Sequence, residues 1–111
     1  MSPRLALLPL FLAGCPGPPA PAAGARVFRD QGCGTCHAAD GSGTSFGPDL
    51  RGQGLHWTAA QLAEYLRNPQ EYAAKDARLS AQGRKYSLPM PRYDKLPPGE
   101  LAALADHLLG L

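Results

Sequence analysis

Cys33-Gly34-Thr35-Cys36-His37 is the stretch on which the reading of this chain turns. Two thiols separated by two residues allow three chemistries. A thiol–disulfide pair uses this spacing at a helix start, but expects a strand–helix–strand setting. A structural zinc site needs four closed ligands. Cys33, Cys36 and His37 are too crowded to supply three of them comfortably, and no second Cys/His cluster follows. The third chemistry is attachment of a c-type haem: both thiols form thioethers to the vinyl groups, and the adjacent imidazole becomes the proximal iron ligand.

Upstream, one positive charge at Arg4 precedes the apolar run Leu5 to Leu12 and a small-residue exit, Ala13-Gly14-Cys15. That is the anatomy of an export signal. As a helix the run rises only ~12 Å, well short of a ~30 Å hydrocarbon core, so it is not read as a membrane span. Leu12-Ala13-Gly14-Cys15 resembles the lipobox of bacterial lipoproteins at all four positions. The resemblance implies cleavage before Cys15 and a diacylglyceryl group on its thiol. Residues 1–14 are then the signal peptide. Cys15 and the Pro/Gly/Ala-rich stretch to residue 23 form a lipidated, semi-stiff tether. Residues 24–111 remain for the fold.

So short a domain usually needs a covalent or metal staple. A disulfide between Cys33 and Cys36 would close too small a loop to help. The pattern is all-α with long Gly/Pro-rich loops, and no stretch alternates as a strand. Val27 and Phe28 mark a first helix over 24–31, stopped by Gly32. Thr58-Ala59-Ala60-Gln61 reads as a capping box ahead of Leu62, Tyr65 and Leu66. Asn68 and Pro69 suit the cap and first position of a third helix reaching Gln82. Leu101, Leu104, Ala105 and Leu108 form one stripe of a last helix, with Pro97 where a Ser or Thr cap would be expected.

With these helices and Gly47-Pro48-Asp49-Leu50 in view, residues 24–111 resemble the small class I cytochromes c. The resemblance implies three to four helices around one covalently attached haem c, held by Cys33 and Cys36, with His37 on the iron. It further implies that the Pro48 carbonyl accepts the His37 Nδ1 proton and that Leu50 packs on the haem. Met90, the only methionine outside the signal, lies in Leu88-Pro89-Met90-Pro91. The following prolines push Leu88 and Met90 out of α geometry, which puts the thioether on a stiff extended loop. The family takes its axial Met from such a loop, so Met90 is the expected sixth ligand; His56 is the rival, and His107 in the last helix a weaker one. Gly24, Phe28 and Leu104 match the family's helix crossing, whereas His107 stands where an aromatic is usual. Trp57, Tyr86 and Arg51 are candidate propionate partners, since each offers a donor.

A His/Met-ligated haem has no open axial site, which implies an electron carrier rather than an enzyme. It would serve respiratory or other extracytoplasmic redox partners, alone or as the cytochrome subunit of a larger complex. The alternatives are an open-haem enzyme or sensor, in which Met90 does not ligate, and a colourless thiol–disulfide oxidoreductase. The lipid on Cys15 would hold the protein to a bacterial membrane, on its periplasmic or extracytoplasmic side. Without residues 1–14 the chain carries ten Lys/Arg against nine Asp/Glu. That balance implies no nucleic-acid partner. Between residues 75 and 95, however, Lys75, Arg78, Arg84, Lys85, Arg92 and Lys95 face only Asp76 and Asp94. This stretch reads as a basic rim for an acidic partner or for anionic lipid headgroups, or equally as a solvated face.

Overall fold

The computed structural model of the protein describes residues 20–111. The signal peptide, Cys15 and most of the expected tether lie outside the described residues. Within them the chain forms six α-helical segments and one 3-10 turn, Gln53–Leu55, with no strand beyond a single bridge between Thr44 and Gly47. None of these helices is long and apolar enough to cross a membrane.

Helix α1 spans Ala20–Asp30, starting four residues before the expected Gly24. Ala22 and Ala23 are strong helix formers, and a proline at 21 is tolerated in a first turn. The helix ends in a Schellman motif. Gly32 takes φ +71°, its N–H bonds the Arg29 carbonyl at 3.1 Å, and the Cys33 N–H bonds the Phe28 carbonyl at 3.1 Å. This cap delivers Cys33 directly to the edge of the core. A single turn, α2 (Gly34–His37), follows and carries the rest of the motif.

Helix α3 (Ala59–Arg67) starts at the expected capping box, with the Gln61 N–H donating to Thr58 Oγ1 at 3.2 Å and the Thr58 N–H to Gln61 Oε1 at 3.0 Å. Its buried face is Leu62 and Leu66. The third helix expected over 69–82 is divided into α4 (Pro69–Ala74) and α5 (Ala77–Gly83). The cause is Asp76, whose carboxylate accepts the Leu79 N–H at 3.0 Å and so caps a new helix. Aspartate competes for backbone donors in this way more readily than it continues a helix. The break re-aims α5 so that Leu79 is buried.

Helix α6 (Pro98–Leu109) crosses α1 and also packs on α3. Leu101, Leu104, Ala105 and Leu108 are its buried stripe, Leu104 and Ala105 being fully inaccessible. At the crossing, a Cβ on Gly24 would run into the Ala103 carbonyl oxygen and come within 2.5 Å of His107 Cβ. Only a glycine lets the two backbones approach so closely. His107 fills the aromatic position of the crossing with its own ring, edge-on to Phe28 at 5.6 Å between centroids. The core thus gathers on one side of α1, α3 and α6, and what the helices leave open is a cleft.

Candidate functional site

The cleft has a volume of about 370 Å³ and is mostly apolar, within the usual ~300–1,000 Å³ of small-molecule sites. Cys33, Cys36 and His37 line it from α2, Pro48 and Leu50 from the following loop, and Met90 from the loop before α6. The six residues expected to form one site are therefore brought together. His56 is exposed and His107 sits at the helix crossing; neither lines the cleft.

His37 is 8 % exposed, and its Nδ1 lies 2.9 Å from the Pro48 carbonyl oxygen. A carbonyl only accepts, so Nδ1 carries a proton, and in the neutral ring the lone pair is then on Nε2. A ring fixed in this tautomer is poised as a metal ligand. The backbone around it is built to hold that bond. Ala38, the only described non-glycine residue with positive φ (+66°), ends α2 immediately after His37. Such a backbone costs of order 1–3 kcal/mol and persists where the surroundings impose it. The Gly43 N–H then bonds the His37 carbonyl at 2.8 Å, and Thr44 Oγ1 donates to the Cys36 carbonyl at 2.6 Å. Beyond Pro48, the Asp49 carboxylate accepts from Arg51 N, Nε and Nη2 at 2.8, 3.0 and 2.9 Å. These Arg51 bonds hold the exposed Asp49 carboxyl down to about 2. The Leu50 N–H bonds the Gly41 carbonyl at 2.7 Å, and the Leu50 side chain packs on the core.

Cys33 and Cys36 are both free thiols and half-buried. Burial pushes the Cys33 thiol up, partly offset by a hydrogen bond with the Tyr93 side chain. Catalytic redox cysteines are shifted in the opposite direction, toward the thiolate. Tyr93 in turn is pushed up to about 12, by burial first and then by Cys33. Among the described residues no three His, Cys, Asp or Glu side chains converge on a cation site.

Met90, which lines the cleft from the loop before α6, is half-buried and held at two atoms. Tyr65 Oη donates to its Sδ at 3.4 Å, and Gln70 Nε2 donates to its carbonyl oxygen at 2.7 Å. Burial raises the Tyr65 hydroxyl above its ordinary value, so it remains a donor at neutral pH. Tyr65 belongs to an aromatic cluster with Trp57 and Tyr72, centroids 5.2 to 5.9 Å apart, and the Arg78 guanidinium lies 5.3 Å from the Trp57 ring centroid. Of the three candidate propionate donors, Trp57 and Tyr86 line the cleft. Trp57 Nε1 donates to Gln53 Oε1 at 3.2 Å, whereas Arg51 is exposed and engaged by Asp49. Gln53, Gln70 and Tyr93 were not legible as site residues: each is one polar side chain whose partner is brought close only by the fold.

The basic stretch is partly neutralised. Asp94 pairs with Arg92 at 3.3 Å, and Arg78 lies against Trp57. Lys75, Arg84, Lys85 and Lys95 are exposed and make no ion pair among the described residues.

Residues 21–111 match the model of the family described as Cytochrome c. This chain belongs to the cytochrome c family, whose members transfer electrons through covalently attached haem c. No curated protein and no solved structure matches it. The residues present fit that group: an apolar cleft lined by two unbridged thiols, by a buried imidazole held through its Nδ1, and by the thioether of Met90.

Proposed function

We propose that this protein is a membrane-tethered, monohaem electron carrier, and the observation that carries the reading is that Cys33, Cys36, His37 and Met90 line one apolar cleft. Cys33 and Cys36 would bond the haem, His37 and Met90 would ligate its iron, and Leu50 would pack against the macrocycle. Bound there, haem c supplies a one-electron iron couple. The Pro48 carbonyl keeps the His37 ring turned and in the Nδ1–H form, which strengthens Nε2 as a donor. Met90, held at its sulfur and its carbonyl, would supply its thioether to the iron. Apolar walls keep water from the site and limit reorganisation when the charge changes. With His37 and Met90 both on the iron no position would remain there for a substrate, which supports a carrier over an enzyme.

Lipid on Cys15 tethers the domain to a bacterial membrane, facing the periplasm or extracytoplasmic space. Partners dock beside Met90, where Leu88 and Phe46 line the cleft mouth at 55 % and 52 % exposure. Lys75, Arg84, Lys85 and Lys95 steer an acidic redox protein to that face. The decisive test is a spectrum of the protein matured with haem-attachment machinery. A far-red Met–iron charge-transfer band in the oxidised form is expected, with slow carbon monoxide binding to the reduced form. Absence of the band with fast carbon monoxide binding would favour an open-haem enzyme or sensor. Mass spectrometry of the mature chain reads the two haem thioethers and the acyl groups on Cys15. Electron transfer to the physiological partner should slow as salt rises; an unchanged rate removes the steering role.

A further inference from the structure

The loop that presents Met90 has very little structure of its own. Residues 84–97 connect α5 to α6 without a helix or strand. From Ser87 to Arg92 no residue takes part in a backbone–backbone hydrogen bond among the described residues. Pro89 and Pro91 contribute to this, since neither has an N–H to give. The loop is picked up again at Tyr93, whose N–H bonds the Leu66 carbonyl at 2.9 Å. Between those points the main chain receives one side-chain hydrogen bond, from Gln70 Nε2 to the Met90 carbonyl at 2.7 Å. The carbonyl only accepts, so Gln70 must present its amide nitrogen.

Gln70 itself stands on firm ground. It is the second residue of α4, directly after the buried Pro69. Asn68 caps that turn: its Oδ1 accepts the Glu71 N–H at 3.3 Å and its Nδ2 donates to Glu71 Oε2 at 2.7 Å. A helix start fixed in this way thus reaches over to Met90, the loop residue that lines the cleft and would supply the second iron ligand.

We propose that Gln70 is a positioning residue for Met90, a latch that holds the ligand loop closed over the cleft. The inference rests on the reading of Met90 as an axial ligand. An exogenous ligand reaches the iron only when the loop is open, so its apparent affinity is scaled by the open fraction. Losing the latch raises that fraction, and loss of one net hydrogen bond corresponds to about a five-fold change. Tyr65 acts on the sulfur, whereas Gln70 acts on the backbone; the two restraints are separable.

The experiment titrates the oxidised holoprotein with imidazole, alongside the far-red band and thermal unfolding. Gln70→Leu and Gln70→Glu keep the size of the side chain and lose the donor. Gln70→Lys keeps a donor of comparable reach. Thr58→Ala removes the α3 cap and loosens the fold without touching the loop. Both donor-less variants should bind imidazole about five-fold more tightly than wild type, with Gln70→Lys and Thr58→Ala close to wild type. If wild type shows the far-red band and Gln70→Leu binds imidazole no more tightly, the latch is wrong and the ligation reading stands. Equal tightening in Thr58→Ala would also overturn the latch, because general loosening would suffice. If wild type lacks the band, Met90 is not the ligand and both readings fall.

Discussion

Tyr65 and Met90 come from separate parts of the chain, and their one polar contact joins Oη to Sδ at 3.4 Å. The hydroxyl is partly buried, which raises its pKa and keeps it protonated across the physiological range. A donated hydrogen bond draws electron density from the thioether, so with Met90 on the iron, as proposed, it would weaken the ligand's support for the oxidised state. Tyr65→Phe removes that bond without removing the ring, whose contacts with Trp57 and Tyr72 remain. The potential should fall by roughly 20–45 mV, the equivalent of one modest hydrogen bond in a one-electron couple. Voltammetry of the two holoproteins measures it, and an unchanged or higher potential would contradict the assignment.

The α1–α6 crossing depends on a missing methyl group. A Cβ at residue 24 meets the Ala103 carbonyl and His107 Cβ, both on a helix whose core face is fully buried. Neither obstacle is the flexible end of a side chain, so the helices themselves must separate. Gly24→Ala should cost about 1–3 kcal/mol, the usual range for overpacking. The gain in helix propensity, at most about 1 kcal/mol, does not offset it. Urea unfolding should show a lower midpoint with an unchanged slope. A midpoint equal to wild type would mean that the crossing can widen freely.

How far these features could be read beforehand depended on how local their causes are. The capping box at Thr58, the Asn68–Pro69 start and the stripe of α6 are short-range patterns, and each was legible. Division of the third helix at Asp76 was not, because the residue's capping role competes with a helix that would otherwise continue. His107 looked like a departure from the crossing; the structure has its imidazole serve as the ring that stacks edge-on to Phe28. The two halves of the site followed from a motif and from prolines around one methionine. What stayed illegible was the support across the cleft. Gln70 and Met90 are twenty residues apart, and no spacing rule links a helix-start glutamine to a loop carbonyl.

Acid should act on the loop that follows Pro48. Asp49 falls from an ordinary value of 3.8 to about 2, chiefly through the Arg51 side-chain bonds and then the Arg51 N–H. A carboxyl whose folded pKa is depressed stabilises the fold above its unfolded pKa and loses that contribution as pH falls through the folded value. The window is therefore from about pH 4 down to about pH 2. Asp49→Asn should be less stable than wild type at pH 7, by a margin that shrinks across that window. Because the pair is exposed, the margin should also shrink in high salt. Urea midpoints at pH 7, 4 and 2.5 test it; a constant gap would assign the difference to something other than the charge.

Gly47 joins the two halves of the His37 support, and its replacement separates fold stability from ring orientation. A Cβ there would sit 3.0 Å from the Cys36 carbonyl oxygen and 3.2 Å from Cys36 Cβ. Cys36 cannot yield, because its carbonyl already accepts from Thr44 and its side chain lies at the cleft. The loop must move instead, carrying the Pro48 carbonyl away from His37 Nδ1. Gly47→Ala should therefore cost about 1–3 kcal/mol of overpacking. It should also free the Nδ1 proton to exchange with water faster in the reduced holoprotein. Gly99→Ala, in the first turn of α6 and away from the cleft, is the control: nothing lies within 4 Å of a Cβ there, and alanine at that position should be neutral or stabilising by up to about 1 kcal/mol. Exchange of the His37 proton, followed by NMR, should accelerate in Gly47→Ala alone. Slow exchange in a destabilised Gly47→Ala would show that the loop and the His37–Pro48 bond move independently.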